Sequence, residues 1–536
     1  MQKDISIKLK PAEAFNNAAI RSYLAQALGT SQNSITGFYT LKQSVDARSR
    51  QQVWINLTLK TFINEPFHQR EIEKISFKNV NHSTKKIIIV GAGPAGLFAA
   101  LSFLEKGIQP IILERGKDVR SRRRDLAALN KDSIINPESN YCFGEGGAGT
   151  YSDGKLYTRS SKRGNINRIL NLFVQFGAEE KILYEAHPHI GTNKLPHIIT
   201  AMRETIINCG GKFLFEKKVT DFIIDGNELK GVKTADGNSF FADAVILATG
   251  HSARDIFESL HQKNILIEAK AFALGVRVEH PQTLIDSIQY HCALRDENLP
   301  PSSYSLVEQV NERGVFSFCM CPGGIIAPAA TQPNELVVNG WSPSKRNNPF
   351  ANSGMVVTVE LKDAVEWFKA EGIKHKKNLN ILNPAPLTLM YFQQAVEQKS
   401  FNAGGGKFVA PAQRMVDFSN NKFSSSLPDC SYLPGVISSD LKNVLPSFIH
   451  KSLQEGFKVF GKKMNGYFSN DAVVVATESR TSSPVRIPRN AVTLEHSQIK
   501  NLYPCGEGAG YAGGIVSAAM DGERVANIIA QKINSL

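Results

Sequence analysis

Residues Lys86-Ile87-Ile88-Ile89-Val90-Gly91-Ala92-Gly93-Pro94-Ala95-Gly96-Leu97-Phe98-Ala99-Ala100-Leu101 read as an apolar strand, a tight turn and a helix in direct succession. Gly91 permits the turn, Gly93 lets backbone approach a pyrophosphate, Gly96 lets the helix pack on the strand, and the first free amides of the helix face the negative charge. A second apolar run, Gln109-Pro-Ile-Ile-Leu113, ends at Glu114, 23 residues after Gly91, where an acid can accept hydrogen bonds from both hydroxyls of an adenosine ribose. Strand, glycine spacing, helix and acid together predict a dinucleotide-binding turn. The competing reading is a buried or membrane helix, because the 18 residues from Ile87 to Leu104 carry no charge. Three glycines and a proline within six positions suit a turn better than a bilayer helix.

The rest of the composition is that of a globular chain. At 536 residues, 42% hydrophobic and 21% charged, there is material for two or three domains. The N-terminus lacks an apolar export segment and no other uninterrupted apolar stretch reaches membrane length, so a cytoplasmic protein without membrane contact is expected. Seven scattered cysteines fit a reducing compartment, with Cys319-Met-Cys321 the one close pair. Net charge is +13, and residues 1–86 hold 13 Lys and Arg against 6 Asp and Glu. That bias admits nucleic-acid contact, but a solvated basic face is the commoner cause.

The fold class predicted is α/β, with a small N-terminal α+β domain over residues 1–82 ahead of the dinucleotide domain. In it we expect a strand at Ile5–Lys10, a helix from Ala12 to Leu28 and strands near Ser34–Leu41 and Gln52–Phe62. The dinucleotide domain, residues 83–270, continues through an arginine- and glycine-rich region, helices near Ile166–Phe176 and His197–Cys209, and a β-meander broken at Asp225-Gly-Asn and Asp236-Gly-Asn. It ends on the apolar strand Ala244-Val-Ile-Leu-Ala-Thr249-Gly250, suited to the middle of a parallel sheet. Residues 271–470 lose the regular alternation and read as an inserted substrate or cap domain. Residues 471–536 return to the first domain and close with a helix from Ile515 to Lys532. No internal repeat is present.

Gly508-Ala-Gly510-Tyr-Ala-Gly513 repeats the glycine spacing, but the chain runs only 23 residues further, too few for a second nucleotide unit. A strand followed by Gly506-Glu507 and a terminal helix instead resembles what large flavoproteins use to hold the flavin half of FAD, where helix amides stabilise negative charge on a reduced ring. Seven segments, in this order, carry a family resemblance: Val90–Gly96, Leu113-Glu-Arg-Gly116, Phe143–Leu156, Ala248–Arg254, Cys319–Gly324, Thr481–Arg486 and Gly506–Ile515. Over about residues 85–536 the chain resembles a bacterial family of FAD-dependent dehydrogenases of unassigned substrate, within the glutathione-reductase-like class of two-domain flavoproteins. The resemblance implies a Rossmann-like FAD-binding domain assembled from discontinuous segments, with a substrate or cap domain inserted between them.

By that resemblance Gly91, Ala92, Gly93, Pro94, Ala95 and Gly96 hold the pyrophosphate, and Glu114 with Arg115 the adenosine side. The loop carrying Gly147, Thr150 and Lys155 lies beside the isoalloxazine, Thr249 and Gly250 lie under the cofactor, and Gly506, Glu507, Gly513, Gly514 and Ile515 reach ribityl chain and ring. Lys155 either places a cation near the flavin or solvates a loop. Cys319 and Cys321 are candidate redox thiols, or else small residues lining a turn of the substrate pocket. Arg480 and Arg486 flank hydroxyls and suit a carboxylate or phosphate, or else are surface arginines. Cys505 reads as packing. His187, His189 and His197 lack a completing ligand spacing, so no metal is expected.

These expectations amount to an FAD-dependent oxidoreductase passing a hydride between flavin and a small-molecule substrate, with Cys319, Cys321 and Arg480 as candidate catalytic groups. NADH or NADPH docking transiently is one electron donor to consider. The alternatives are an FAD enzyme acting on tRNA, or a flavin-binding protein without turnover. The sequence does not determine oligomeric state.

Overall fold

The strand Lys86–Val90 forms as read and lies at the centre of a five-stranded sheet. Across that sheet the order is Leu502–Pro504, Ala244–Leu247, Lys86–Val90, Gln109–Leu113 and Lys212–Leu214, every neighbour parallel. The central strands are buried on both faces, which is why they are continuous apolar runs. The computed structural model describes residues 1–158, 164–376, 379–382 and 385–535.

Two helices pack on one another against this sheet. Pro94–Glu105 follows the glycine turn, and Ile515–Asn534 closes the chain. A Cβ on Gly522 of the closing helix would stand 2.1 Å from the Ala95 carbonyl oxygen, so the two backbones meet at a glycine. The residues Val219–Asp225, Glu228–Thr234 and Ser239–Phe241 form the expected meander as a separate three-stranded sheet.

The N-terminal unit is an antiparallel sheet of Gln2–Leu9, Trp54–Ile63 and Ile35–Asp46, with the long strand Trp54–Ile63 in the middle. Its helix starts at Asn17 rather than Ala12, because the Asn16 side chain caps the amides of Ala18 and Ala19 and fixes the first turn there.

Between residues 272 and 478 the chain builds a second, seven-stranded sheet in the order Val307–Val310, Arg313–Cys321, Phe350–Val359, Phe272–Pro281, Val473–Glu478, Ala410–Arg414 and Val436–Ser438. Helices Leu361–Ala370, Thr388–Ala403 and Ser447–Lys463 contribute to its core. One boundary must be corrected. Val473–Glu478, expected to begin the return to the dinucleotide domain at residue 471, pairs with Phe272–Pro281 and Ala410–Arg414 inside this sheet. The return comes with Leu502–Pro504. An all-apolar strand fits the middle of either sheet, and its local sequence does not say which. Among the described residues no helix is long and apolar enough to cross a membrane.

Candidate functional site

A long cleft with about 1650 Å³ of atom-free space runs from the glycine turn to the start of the closing helix. At the turn, Gly91 has φ of +105°, and a Cβ there would stand 2.5 Å from the Ala248 carbonyl oxygen, so the fingerprint strand and the Ala244–Leu247 strand end in close contact. The Gly146 amide donates to the Ala92 carbonyl at 2.9 Å and ties a second glycine loop to the turn. Two helices, Pro94–Glu105 and Ile515–Asn534, begin at the cleft with no side chain capping either N-terminus. Uncapped first-turn amides carry the positive end of the helix dipole into the cleft.

Of the residues singled out in the sequence, Gly91, Gly93, Pro94, Ala95, Glu114, Arg115, Gly147, Lys155, Thr249, Gly250, Gly506, Glu507, Gly513, Gly514, Ile515 and Cys319 line this one cleft. Ala92, Gly96 and Thr150 stand behind its wall. Gly96 serves packing: a Cβ there would meet the Gly91 carbonyl at 2.1 Å. The Thr150 hydroxyl donates to the Glu145 carbonyl at 2.8 Å.

Glu114 departs from its expected role. Its Oε2 accepts from the Ala92 amide at 2.8 Å, and Oε1 accepts from Gly116 at 2.9 Å and Gly144 at 3.0 Å. Three of roughly four acceptor positions are filled, so the carboxylate pins two loops to the turn and keeps one position, on Oε2, for a ribose hydroxyl rather than two. Arg115 is also engaged: it pairs with Glu138 at 2.6 Å and Asp255 at 3.0 Å and lies 4.1 Å over the Phe143 ring. It presents a flat cation–π face to the cleft, with its fork already occupied.

Sequence reasoning passed over Arg122. Fully buried, its guanidinium donates to the carbonyls of Asn140 (2.8 Å), Glu145 (2.7 Å), Tyr141 (2.9 Å) and Gly147 (2.8 Å) and to the Thr150 hydroxyl (3.3 Å). It thereby sets the shape of the whole loop along the cleft. The signal was present: Val119, Arg122, Leu126 and Leu129 are the buried positions of one helix, so Arg122 stands on an apolar stripe at helical spacing. Asp521 was missed as well. From the closing helix it accepts the Gly506 amide at 2.8 Å and pairs with Arg489 at 2.6 Å, fixing the Gly506-Glu507 corner.

At the Lys155 end the inserted sheet enters the site. Strand Arg313–Cys321 loses register with Phe350–Val359 between Phe318 and Cys321, and Cys319 has φ of +47°. Such a bulge re-aims a side chain, and Cys319 and Phe318 line the cleft. Lys155 donates to the Met320 carbonyl. Burial works against the Lys155 ammonium, but Cys321, Cys319 and Asp153 outweigh it, and its pKa rises. The hydrogen bond from the Cys321 thiol, helped against burial by the Lys155 and Arg277 cations, pulls Cys319 down to about 5, while Cys321 is pushed well above its ordinary value. Cys321 is buried, with an Arg277 nitrogen 3.5 Å from its sulfur. Opposite, burial raises the Glu507 carboxyl to about 7 against the pull of Lys270. His251, also on the cleft, is pushed down to about 4 by burial and by the Arg480 and Arg254 guanidiniums, so its imidazole is neutral.

Arg480 does not reach the cleft. Its fork is filled by Glu397 at 3.0 Å and Glu335 at 3.3 Å, with the Thr331 hydroxyl at 2.8 Å, and it is 4% exposed. A guanidinium so enclosed positions others and is not available to a substrate, which corrects its expected catalytic role. Arg486 is exposed and lies 5.2 Å over the Tyr511 ring. Among the described residues no group of three His, Cys, Asp or Glu converges as a metal site.

The cleft suits an elongated dinucleotide. Its two uncapped helix N-termini are anion sites, and the bare surfaces at Gly250 and Gly513 have no atom within 4 Å of where a Cβ would stand. The groups along it include backbone amides, the cations Arg115, Lys155, Lys217 and Lys218 and the Glu507 carboxyl. These residues fit FAD. A profile described as FAD-dependent protein, C-terminal domain-like matches residues 271–481, and one for a domain of unknown function matches residues 1–62. An uncharacterized protein of Clostridium beijerinckii is 38% identical over 528 residues, covering 95% of each chain. The tRNA uridine 5-carboxymethylaminomethyl modification enzyme MnmG of Alkaliphilus metalliredigens is 26% identical over 249 residues, 42% of this chain and 36% of that one. Among solved structures, 2,6-dihydroxypyridine-3-hydroxylase from Arthrobacter nicotinovorans superposes with a TM-score of 0.37 at 11% identity, covering 84% of each chain.

Proposed function

Because the chain belongs to a family of FAD-dependent proteins, the one it shares with its full-length Clostridium beijerinckii relative, we propose that it is an oxidoreductase exchanging a hydride with a small molecule held between the cleft and the inserted sheet. The observation that carries this reading is the meeting of Lys155, Cys319 and Glu507, from three separate parts of the chain, at one end of a cleft built for an anionic dinucleotide. Bound FAD would supply the two-electron chemistry. The chain's own residues supply the setting. The Pro94–Glu105 amides bind the pyrophosphate, and the open position on Glu114 orients the ribose. The Lys155 ammonium and the first amides of Ile515–Asn534 favour negative charge on the ring. Glu507, raised to about 7, holds or releases a proton near neutral pH. We propose NADH or NADPH as a transient donor and the cytoplasm as the setting, in keeping with seven free cysteines.

Anaerobic titration tests this. The purified protein is expected to be yellow, and NADH or NADPH to bleach it within seconds to minutes. Bleaching by dithionite alone would remove the nicotinamide donor, and protein that stays colourless after incubation with FAD would remove the flavin reading itself.

A second reading spends the same electrons on RNA. It is favoured by the partial similarity to a tRNA uridine modification enzyme and by the basic N-terminal unit. It predicts tRNA binding that weakens steeply with salt, and no binding at low salt would end it.

A further inference from the structure

A second cavity lies outside the flavin cleft, where the N-terminal unit meets the dinucleotide domain. The edge strand Ile35–Asp46 runs beside residues 184–186: the Gln43 amide donates to the Tyr184 carbonyl at 2.8 Å, and the Ala186 amide donates to the Gln43 carbonyl at 2.9 Å. Together with the helix Ile166–Gln175 they bound about 1210 Å³ of atom-free space, the open mouth included. Asn167 and Asn171 stand one turn apart on that helix, on the side away from its buried residues, and both line the cavity. Lys42, Arg70 and the carboxyls of Glu71 and Glu185 line it as well. Arg70 is fixed in place: it donates to the Thr40 carbonyl and lies 5.2 Å from the Tyr39 ring and 5.7 Å from the Tyr184 ring. The others are unengaged. Among the described residues the side chains of Lys42, Glu71, Asn167, Asn171 and Glu185 make no hydrogen bond or ion pair, although burial already raises the Glu185 carboxyl.

We propose that this cavity is a nucleotide-binding site, separate from the flavin cleft, in which Arg70 and Lys42 take the phosphate, the two carboxyls accept from ribose hydroxyls, and Asn167 with Asn171 read the edge of the base. The chemistry of the lining selects that class. Cations and carboxyls side by side call for a ligand that carries both an anion and hydrogen-bond donors, which an inorganic anion does not. A carboxamide offers a donor and an acceptor at fixed spacing, the pairing a base edge presents. An amino acid also carries both signs, but it fills only a small part of the volume and has no such edge. The cavity is built in advance, on a helix, a paired strand and a pinned guanidinium. It also adjoins the reactive end of the flavin cleft: the chain leaves the cavity wall at Ala186, His187 lies 5.1 Å from the cleft residue Tyr157, and His189 bridges to Lys155. The same recognition serves a free nucleotide or one unit of an RNA strand.

The test is calorimetric titration of the full-length protein, incubated with FAD and freed of the excess, with AMP, GMP, CMP, UMP and a single-stranded oligoribonucleotide of mixed sequence. At least one monophosphate is expected to bind saturably, and its nucleoside to bind weaker by about tenfold or more. Asn167→Ala combined with Asn171→Ala should narrow the differences among the four bases. Lys42→Ala should weaken all four alike and flatten the dependence on salt. These side chains are unengaged and outside the flavin cleft, so the variants should keep the wild-type melting point and flavin content. An oligoribonucleotide bound about tenfold or more tightly than any monophosphate assigns the site to a strand and joins it to the RNA reading above, whereas equal affinities assign it to a free nucleotide. Three results would overturn the site: no saturable binding of any probe, binding that survives the substitutions, as AMP entering the flavin cleft would, or equal occupancy by free glutamine. The flavin reading stands or falls separately, on the colour of the protein, and an oligoribonucleotide held undiminished by the variants would sink this site while leaving the RNA reading intact.

Discussion

Arg122 shows what one buried cation does for a loop that has little regular structure of its own. Four backbone carbonyls and a hydroxyl depend on it, and a buried carbonyl left without a donor costs roughly 1–3 kcal/mol. Arg122→Ala should therefore destabilise the protein by at least about 3 kcal/mol and release flavin during gel filtration, and thermal melting with the absorbance of the eluted protein checks both. Glu507 gives a pH signature. Its folded value of about 7 lies above the ordinary 4.5, so the native state holds the proton more tightly than the unfolded chain. That contribution is complete below about pH 4.5 and is lost as pH rises through about 7. Glu507→Gln, neutral throughout, should melt within a degree of wild type at pH 5 and a few degrees above it at pH 8.5, on the order of 1–3 kcal/mol. The residue types at the turn were legible in the sequence because Gly91 takes a left-handed backbone conformation and Gly96 has no room for a Cβ. The filling of Glu114 by three amides was not, since two of its donors, Gly116 and Gly144, take their positions from loops folding back on the turn.

At the scale of elements, the closing helix meets the helix Pro94–Glu105 by shape. Gly522 sits in mid-helix, where replacing glycine by alanine ordinarily gains about 1 kcal/mol. Here the added carbon would stand 2.1 Å from the Ala95 oxygen. Gly522→Ala is expected to reverse the usual sign, costing about 1–3 kcal/mol and reducing flavin content, as a melt and the ratio of absorbance at 450 nm to 280 nm would show. Strand and helix types along the parallel sheet followed from period and glycine position. Val473–Glu478 did not, because an apolar run buried on both faces looks the same in either sheet. The bulge at Cys319 was equally silent: a slip in register belongs to two strands at once, and the partner, Phe350–Val359, lies about thirty residues on.

Across the whole molecule, the two large sheets are locked by a buried ionic cluster. Arg254, which opens the helix after Ala244–Leu247, pairs with Glu335 at 3.0 Å and Glu397 at 2.9 Å, and Arg480 pairs with the same two carboxylates from the other side. Glu397→Ala would leave two buried guanidiniums sharing the one carboxylate of Glu335, a loss of about 3–5 kcal/mol. We expect a lower melting point and faster proteolysis between the sheets. Glu397 is held down to about 2 against an ordinary 4.5, its burial outweighed by Arg254 and Arg480. Its contribution is full above about pH 4.5 and fades as pH falls toward 2, so the variant's deficit should shrink over that window. The sequence by itself determined the nucleotide turn, the parallel strands beside it and the closing helix, because each is written in local spacing and backbone freedom. Which arginine would be free, which acid would be filled and which cysteine would face the cleft were decided by tertiary structure alone. Those properties depend on neighbours brought from distant parts of the chain, and on the burial and charge that only the assembled sheets create.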